Sequence, residues 1–406
     1  MATIATTTNV SRALVIMLGA AVFLNYVDRG AIAVAAPLMK GELNLSATEF
    51  GTAVSAFFWI YAPVQLLVGW LCDRFSVYRL MALGVIVWAL STLLMGFAGG
   101  FLSLLVLRVM LGIGESIAFP GSSKIIARHV PAEQRGMANA AVAMGIALGP
   151  AIGTLAGGMI VAKLGWRPMF IAFGLATLIW LIPWQRIVSA LPTVHKETKE
   201  PMVPIARLID KWALWAMGIG HAASNYGFYF LLAWLPLFLV QQRGLSIEQM
   251  TWLATLGYAA QAVACLAFGA ISDRWTRSGK SEAGMRRGML AAGQLLMALS
   301  IIGIAFTTNL YWLAVLLCLA GAATASLSTN LYSVAQMFAG PRAAGTWVGI
   351  QNALGNVSGI VGPIASGLLI DRSGYAGAFY LAAGVSAFGA IWWFVGVPRI
   401  TRIIAD

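Results

Sequence analysis

Four charged residues interrupt apolar runs of the chain: Asp28 and Arg29 are adjacent in the first run, and Arg108 and Glu115 are seven apart in the fourth. If those runs are helices, Asp28 and Arg29 point roughly 100° apart, while Arg108 and Glu115, about two turns apart, share a face. Two acids and two bases cancel formally, which suits one compact polar site better than scattered defects. Removing a carboxylate from water favours its protonated form and a neighbouring arginine favours the charged form, so such a group can load and unload a proton. Arginine keeps its charge and grips a carboxylate with paired hydrogen bonds. An anion arriving at one of these arginines would compete with the internal carboxylate, which couples anion binding to protonation. The plainer alternative is a pair of static ion bridges holding helices together.

The elements that must position these residues are readable from composition. Hydrophobic residues make up 60% of the 406 and charged residues 10%, against roughly 25% charged in soluble domains. A water-soluble body of this size is excluded. Apolar runs fall near 13–35, 48–71, 79–97, 101–125, 136–161 and 168–188, then near 213–240, 250–271, 286–306, 311–338, 345–370 and 376–397. Each approaches the ~20 residues of a membrane-spanning helix. Backbone in lipid must close its hydrogen bonds within helices or a barrel, so the expected class is an all-α integral membrane protein of twelve spans. A charge at the bilayer centre costs about 2.5–3.5 kcal/mol or more, so the four intramembrane charges must face a cavity or a partner. Glu49 lies near the mouth of the second span.

The net charge of +12 sets topology and does not point to nucleic acid. With a cytoplasmic N-terminus, nineteen of the 26 Lys and Arg fall on the inner side and five on the outer, the remaining two being Arg29 and Arg108. That asymmetry places both termini in the cytoplasm of a multi-pass inner-membrane protein. A cleaved signal peptide is not expected, because the first run is too long and carries charge. The cysteines, Cys72, Cys265 and Cys318, have no metal-site spacing. No His-rich cluster or nucleophile constellation appears, so neither an enzyme, a metal site nor a cofactor is expected.

A polar stretch containing His195-Lys196-Glu197-Thr198-Lys199-Glu200-Pro201 divides the chain into an expected N-terminal bundle (1–188), a cytoplasmic linker (189–211) and a C-terminal bundle (212–406). The halves echo one another. Gly69-Trp70-Leu71-Cys72-Asp73-Arg74 after the second span is matched by Gly269-Ala270-Ile271-Ser272-Asp273-Arg274 after the eighth. Gly149-Pro150 is matched by Gly362-Pro363, and Gly165-Trp166 with Phe170 by Gly374-Tyr375 with Phe379. Three echoes in one order point to an internal duplication.

The Gly69…Asp73-Arg74…Arg79 segment resembles the signature loop of the major facilitator superfamily, with Ser76 and Tyr78 where the family usually has glycine and a basic residue. Gly69 lets a neighbouring helix approach, and Asp73 can cap the positive end of a helix. The resemblance implies that Gly69, Asp73, Arg74, Asp273 and Arg274 gate the cytoplasmic side; otherwise the Asp-Arg pairs merely mark a membrane boundary. Asn25-Tyr26-Val27-Asp28-Arg29, and Arg108 through Glu115-Ser116-Ile117-Ala118-Phe119-Pro120, resemble the helix-one and helix-four motifs of the anion:cation symporter branch. Asn225-Tyr226-Gly227-Phe228-Tyr229 with Trp234-Leu235-Pro236, and Gly349-Ile350-Gln351-Asn352 with Gly355-Asn356, resemble its helices seven and eleven.

What this resemblance implies is proton-coupled uptake of an organic carboxylate by a monomeric carrier in which two bundles rock about a midplane site. Asp28 and Glu115 would be proton sites. Arg29 and Arg108 would serve the substrate carboxylate or the coupling pair. Tyr26, Tyr61, Gln65, Asn225, Tyr229 and Asn352 would supply hydroxyl and amide contacts. Helix five reads Ala143-Met144-Gly145-Ile146 where sugar-acid members often carry a polar residue, which favours a smaller or more apolar carboxylate. The glycines from Gly145 to Gly158 also resemble a drug/proton antiporter motif, which keeps an efflux reading as the alternative, although close helix packing explains them better, because Gly355, Gly359, Gly362 and Pro363 repeat the pattern on helix eleven. Lys124 reads as a boundary charge or a substrate contact, and His221 as a packed neutral ring or a proton relay. Trp166, Trp212 and Trp275 are expected as interfacial anchors.

Overall fold

The computed structural model describes residues 2–130, 135–191, 206–279 and 281–403 and, within the helices, all side chains except a minority that includes Gly69, Asp73 and Asp273. Among the described residues the secondary structure is helical throughout. In order these are α1 (Ala2–Glu42), α2 (Ala47–Arg74), α3 (Val77–Met95), α4 (Phe101–Glu115), α5 (Ala118–His129), α6 (Arg135–Leu164), α7 (Trp166–Ile179), α8 (Leu181–Ser189), α9 (Ala206–Ile209) and α10 (Trp212–Leu237). A π-helical turn, Phe238–Gln242, leads to α11 (Ile247–Arg277), α12 (Glu282–Phe306), α13 (Leu310–Ser373) and α14 (Tyr375–Val395).

Eleven described segments are long and apolar enough to cross a membrane. The remaining expected span, near 48–71, is formed as α2, part of whose side chains are not described. The fourth span joins α4 to α5 as Phe101–Ile126, and the sixth joins α7 to α8 as Trp166–Ser189. The tenth and eleventh spans, Leu310–Gly340 and Thr346–Ser373, are merged in α13 across a break at Gly340. Its φ of 68° is a left-handed conformation that glycine adopts without a Cβ penalty. The all-α, twelve-span fold is therefore present. The first helix outruns its apolar stretch: hydrophobicity marks the lipid-facing length, whereas the helix continues past Lys40 to Glu42, and the first left-handed residue is Asn44 at φ 52°.

Glu49 belongs to a capping box at the start of α2. Ser46 Oγ accepts from the Glu49 backbone N–H at 3.0 Å and Glu49 Oε2 accepts from the Ser46 N–H at 2.9 Å, which satisfies two of the orphan donors at a helix start.

Contacts divide the chain into two compact units, one holding α1 to α8 with Leu239–Thr255, the other holding α9, α10 and the helices from Leu256 on. Most of residues 189–211, the expected linker, lies outside the described residues. In the first unit α1 packs along α6, and α4 is held between α2 and α3. The glycine stripe explains the first contact: a Cβ at Gly145 would meet the Phe23 nitrogen at 2.7 Å, one at Gly149 the Tyr26 Cβ at 2.6 Å, and one at Gly153 the Val27 Cα at 2.8 Å. Small residues at this spacing bring two backbones together. In the second unit α10 packs on α13, and α12 on α13 and α14.

Trp166 corrects an expectation. It is only 1% exposed and its indole N–H donates to Glu42 Oε2 at 2.6 Å. Arg167 beside it binds Glu42 and the carbonyls of Gly96 and Ala98. An adjacent carboxylate satisfies the indole within the protein, so this tryptophan ties loops together; Trp212 and Trp275 are exposed as expected.

Candidate functional site

The four intramembrane charges all fall within the first unit, on α1 and α4. Asp28, Arg108 and Glu115 are buried and Arg29 nearly so. Arg29 Nε donates to Glu115 Oε2 at 3.1 Å, joining α1 to α4. Its guanidinium also lies 4.8 Å from the ring centres of both Tyr26 and Tyr61 and 5.1 Å from that of Phe57. Three aromatic faces thus surround the cation.

Asp28 has different partners. Its Oδ2 accepts from Trp88 Nε1 at 2.5 Å and Thr92 Oγ1 at 3.2 Å, both on α3. Trp88 reaches this position because α3 and α4 approach closely: a Cβ at Gly114 would stand 2.7 Å from the Trp88 Cβ. Arg108 donates to the carbonyls of Ala53 at 3.4 Å and Val54 at 3.2 Å on α2, with Phe57 5.1 Å from its guanidinium. Of the two arginines, Arg29 makes the inter-helix ion pair while Arg108 anchors α4 to the α2 backbone.

Tyr61 is buried and stacks on Phe57 at 4.9 Å. Gln65 follows one turn later on α2 and is partly exposed. Trp88, Thr92 and Phe57 were not singled out from sequence. Trp88 and Thr92 are four apart, hence on one helix face, and a polar pair within an apolar span was the available signal.

The second unit gathers neutral groups. Tyr229 donates to Asn356 Oδ1 at 2.8 Å, and Asn356 Nδ2 donates to the Asn352 carbonyl at 3.0 Å. Asn225 Nδ2 donates to the Gly355 carbonyl at 3.2 Å, and Tyr332 donates to Asn352 Oδ1 at 3.2 Å. The predicted Asn225, Tyr229 and Asn352 therefore meet through Gly355 and Asn356, with Tyr332 added by the fold. His221 is buried edge-on to Tyr332, with ring centres 5.9 Å apart, and packs on Gly355.

Of the expected gate, Asp73 and Asp273 lie outside the described side chains, as does Gly69 within α2, while Arg74 and Arg274 are exposed. Lys124 Nζ donates to the Cys72 carbonyl at 2.6 Å. A cation on one of the last carbonyls of α2 is a helix C-terminal cap. Among the described residues no cluster of three or more His, Cys, Asp or Glu could hold a metal ion.

A helical chain of many spans with buried, paired charges is a polytopic membrane protein built around an intramembrane polar site. The family model for the Major Facilitator Superfamily matches residues 18–281 and 241–403. The chain belongs to the major facilitator superfamily; it is a membrane transporter and not an enzyme. It is 30% identical over 389 residues to the probable sulfoacetate transporter SauU of Cupriavidus necator, covering 91% of this chain and 90% of that one. It is 28% identical over 394 residues to the hexuronate transporter of Bacillus subtilis, covering 91% and 90%. In fold it is similar to a bacterial homolog of the human lysosomal transporter Spinster in an inward-facing, unoccupied conformation, with a TM-score of 0.83, 18% identity and coverage of 96% and 98%.

Proposed function

We propose that this protein is a proton-coupled symporter that takes up a small organic anion by alternating access, as a monomer in the inner membrane with both termini cytoplasmic. The observation that carries the reading is the buried Arg29–Glu115 pair at 3.1 Å within its aromatic cage. A substrate carboxylate or sulfonate supplies the same planar or tripodal oxygen chemistry as Glu115, so it competes for Arg29. Protonation of Glu115 removes the internal competitor. Proton and anion therefore bind more favourably together than apart, which is the thermodynamic requirement for symport. Asp28, held by neutral donors, is the second proton site. Tyr26, Tyr61, Gln65, Asn225, Tyr229 and Asn352 contact the anion, and Arg108 supports the site from α2. Asp73, Arg74, Asp273 and Arg274, with Gly69, gate the cytoplasmic side.

The relatives' names support the anion class: a probable sulfoacetate transporter, a hexuronate transporter and a probable galactarate/D-glucarate transporter are among them. Small size is favoured by the fifth span, α6, where Gly145 packs against α1 in place of a polar side chain. The same packing accounts for the glycine stripe without an efflux role. The positive-inside distribution of Lys and Arg supports the orientation.

The test is uptake into proteoliposomes containing a pH dye, with sulfoacetate, glucuronate and glucarate as probe anions. Anion-stimulated proton entry, abolished in Arg29→Ala, is expected. Uptake of a probe anion with no accompanying proton entry would falsify the coupling, and binding of organic cations alone would favour the efflux antiporter.

A further inference from the structure

Asn25 has no role in the site described so far, yet it is fully buried beside it. It precedes Asp28 by three residues on α1, so the two side chains share a helix face. The Asn25 amide also lies beside the Glu115 carboxylate of α4. Exposure is 0% for Asn25, 3% for Asp28 and 0% for Glu115. Each acid uses one oxygen: Asp28 Oδ2 takes Trp88 and Thr92, and Glu115 Oε2 takes Arg29. The other oxygens, Asp28 Oδ1 and Glu115 Oε1, and both Asn25 amide atoms are buried without a well-formed hydrogen bond, although the Asn25 amide approaches the Glu115 carboxylate closely enough to interact with it.

We infer that Asn25 and a water bound to it form a proton path linking Asp28 to Glu115. Buried polar atoms require partners, and a water making two to four hydrogen bonds is the small group that satisfies several at once. An asparagine amide offers both donors and an acceptor but carries no titratable proton, so it holds the water in register without trapping the charge. The proton on Asp28 passes to the water as one O–H bond breaks and another forms. The water then releases a different proton to Glu115 and is left neutral. Asp28 ends as the carboxylate, stabilised by Trp88 and Thr92, and Glu115 ends neutral, which frees Arg29. The other ionisable groups facing this cluster are Arg29 and Tyr26 on α1, Tyr61 on α2 and Arg108 on α4; the side chains contributed by α3 are neutral donors. Asn25 is thus a positioning residue.

This inference rests on the proton-coupled reading, and its test separates the two. Wild type, Asn25→Ala and Asn25→Ser are reconstituted with whichever of sulfoacetate, glucuronate and glucarate drives the greater uptake. Net proton-driven uptake is compared with anion exchange at equal pH, which needs no net proton movement, and both are repeated in D2O. The path predicts that Asn25→Ala lowers net uptake at least tenfold more than exchange and enlarges the solvent isotope effect on uptake. Asn25→Ser, small enough to admit water and still polar, recovers part of the loss. Equal losses of uptake and exchange in both variants would make Asn25 a packing residue and overturn the path, as would an unchanged ratio of the two. Absence of proton entry in wild type overturns the coupled reading itself, before any variant is considered.

Discussion

The first unit holds the intramembrane charges, Asp28, Arg29, Arg108 and Glu115, tied across α1, α2, α3 and α4 alongside neutral groups such as Asn25 and Thr92. The buried polar groups of the second unit are mostly neutral: His221, Tyr229, Asn330, Gln351 and Asn356 are buried, Tyr229 bonds Asn356, and Asn330 bonds the Ser326 carbonyl and accepts from Arg286. Yet the matched glycine-proline and Asp-Arg segments of the sequence point to an internal duplication. Duplicated scaffolds therefore separate two tasks. The buried acid–base cluster is concentrated in one half, and uncharged hydrogen bonding predominates in the other. The physical reason is that each membrane-buried charge is costly unless paired. Confining the charges to one unit lets them neutralise one another.

The comparison breaks most readily at Arg29. Arg29→Ala leaves Glu115 buried without its cation, at a cost of about 3–5 kcal/mol, and abolishes anion uptake. Arg29→Ala combined with Glu115→Gln regains thermal stability but not uptake, because the charge balance is repaired and the anion's partner is still missing. Recovery of uptake in the double variant, read in proteoliposomes, would mean that the ionic cluster is only structural.

Gly149→Leu probes the scaffold beneath the charges. Its side chain collides with Tyr26 and the Phe23 carbonyl, and overpacking of this kind costs about 1–3 kcal/mol. A drop in melting temperature together with uptake is expected, since α1 carries both Asp28 and Arg29. Wild-type stability would show that the α1–α6 contact relaxes freely.

A smaller effect is expected in the neutral unit. Tyr229→Phe removes the 2.8 Å bond to Asn356, worth about 0.5–1.5 kcal/mol, and so raises the anion KM up to about tenfold while the ratio of protons to anions stays fixed. A changed proton ratio would blur the division between the units. Lys124→Met is the mildest change. Losing a cap on the Cys72 carbonyl costs about 0.3–1 kcal/mol, visible as a small thermal shift that salt diminishes, with uptake retained. A loss of anion binding by isothermal titration would instead bring Lys124 into the site.

Much of the architecture was legible because lipid imposes a coarse constraint: every span must be apolar for about 20 residues. The runs at 79–97 and 286–306 coincide closely with α3 and the end of α12. Helix ends were less legible. Polar Lys40 and Glu42 reveal where α1 leaves the apolar zone, but not that its backbone continues as helix. Trp166 read as an interfacial anchor because composition carries no information about Glu42, which is distant in sequence and adjacent in space. Within the site, residue types identified Asp28, Arg29, Arg108 and Glu115, since charges in apolar runs are conspicuous. Their pairing was not legible. The shared face of Arg108 and Glu115 offered an obvious partnership along one helix, whereas the structure pairs Glu115 with Arg29 and turns Arg108 to the carbonyls of α2.

The amino-acid sequence by itself determined the number and order of the spans and the identity of the buried charges, because each follows from the cost of placing polar groups in hydrocarbon. Only the tertiary structure decided which charge meets which partner, that Asp28 is held by Trp88 and Thr92, and that Asn25 is buried beside Glu115. Those choices depend on close helix approaches such as Gly114 against Trp88 and Gly149 against Tyr26, and hydrogen-bond partners are selected by distances of a few tenths of an ångström that no linear pattern encodes.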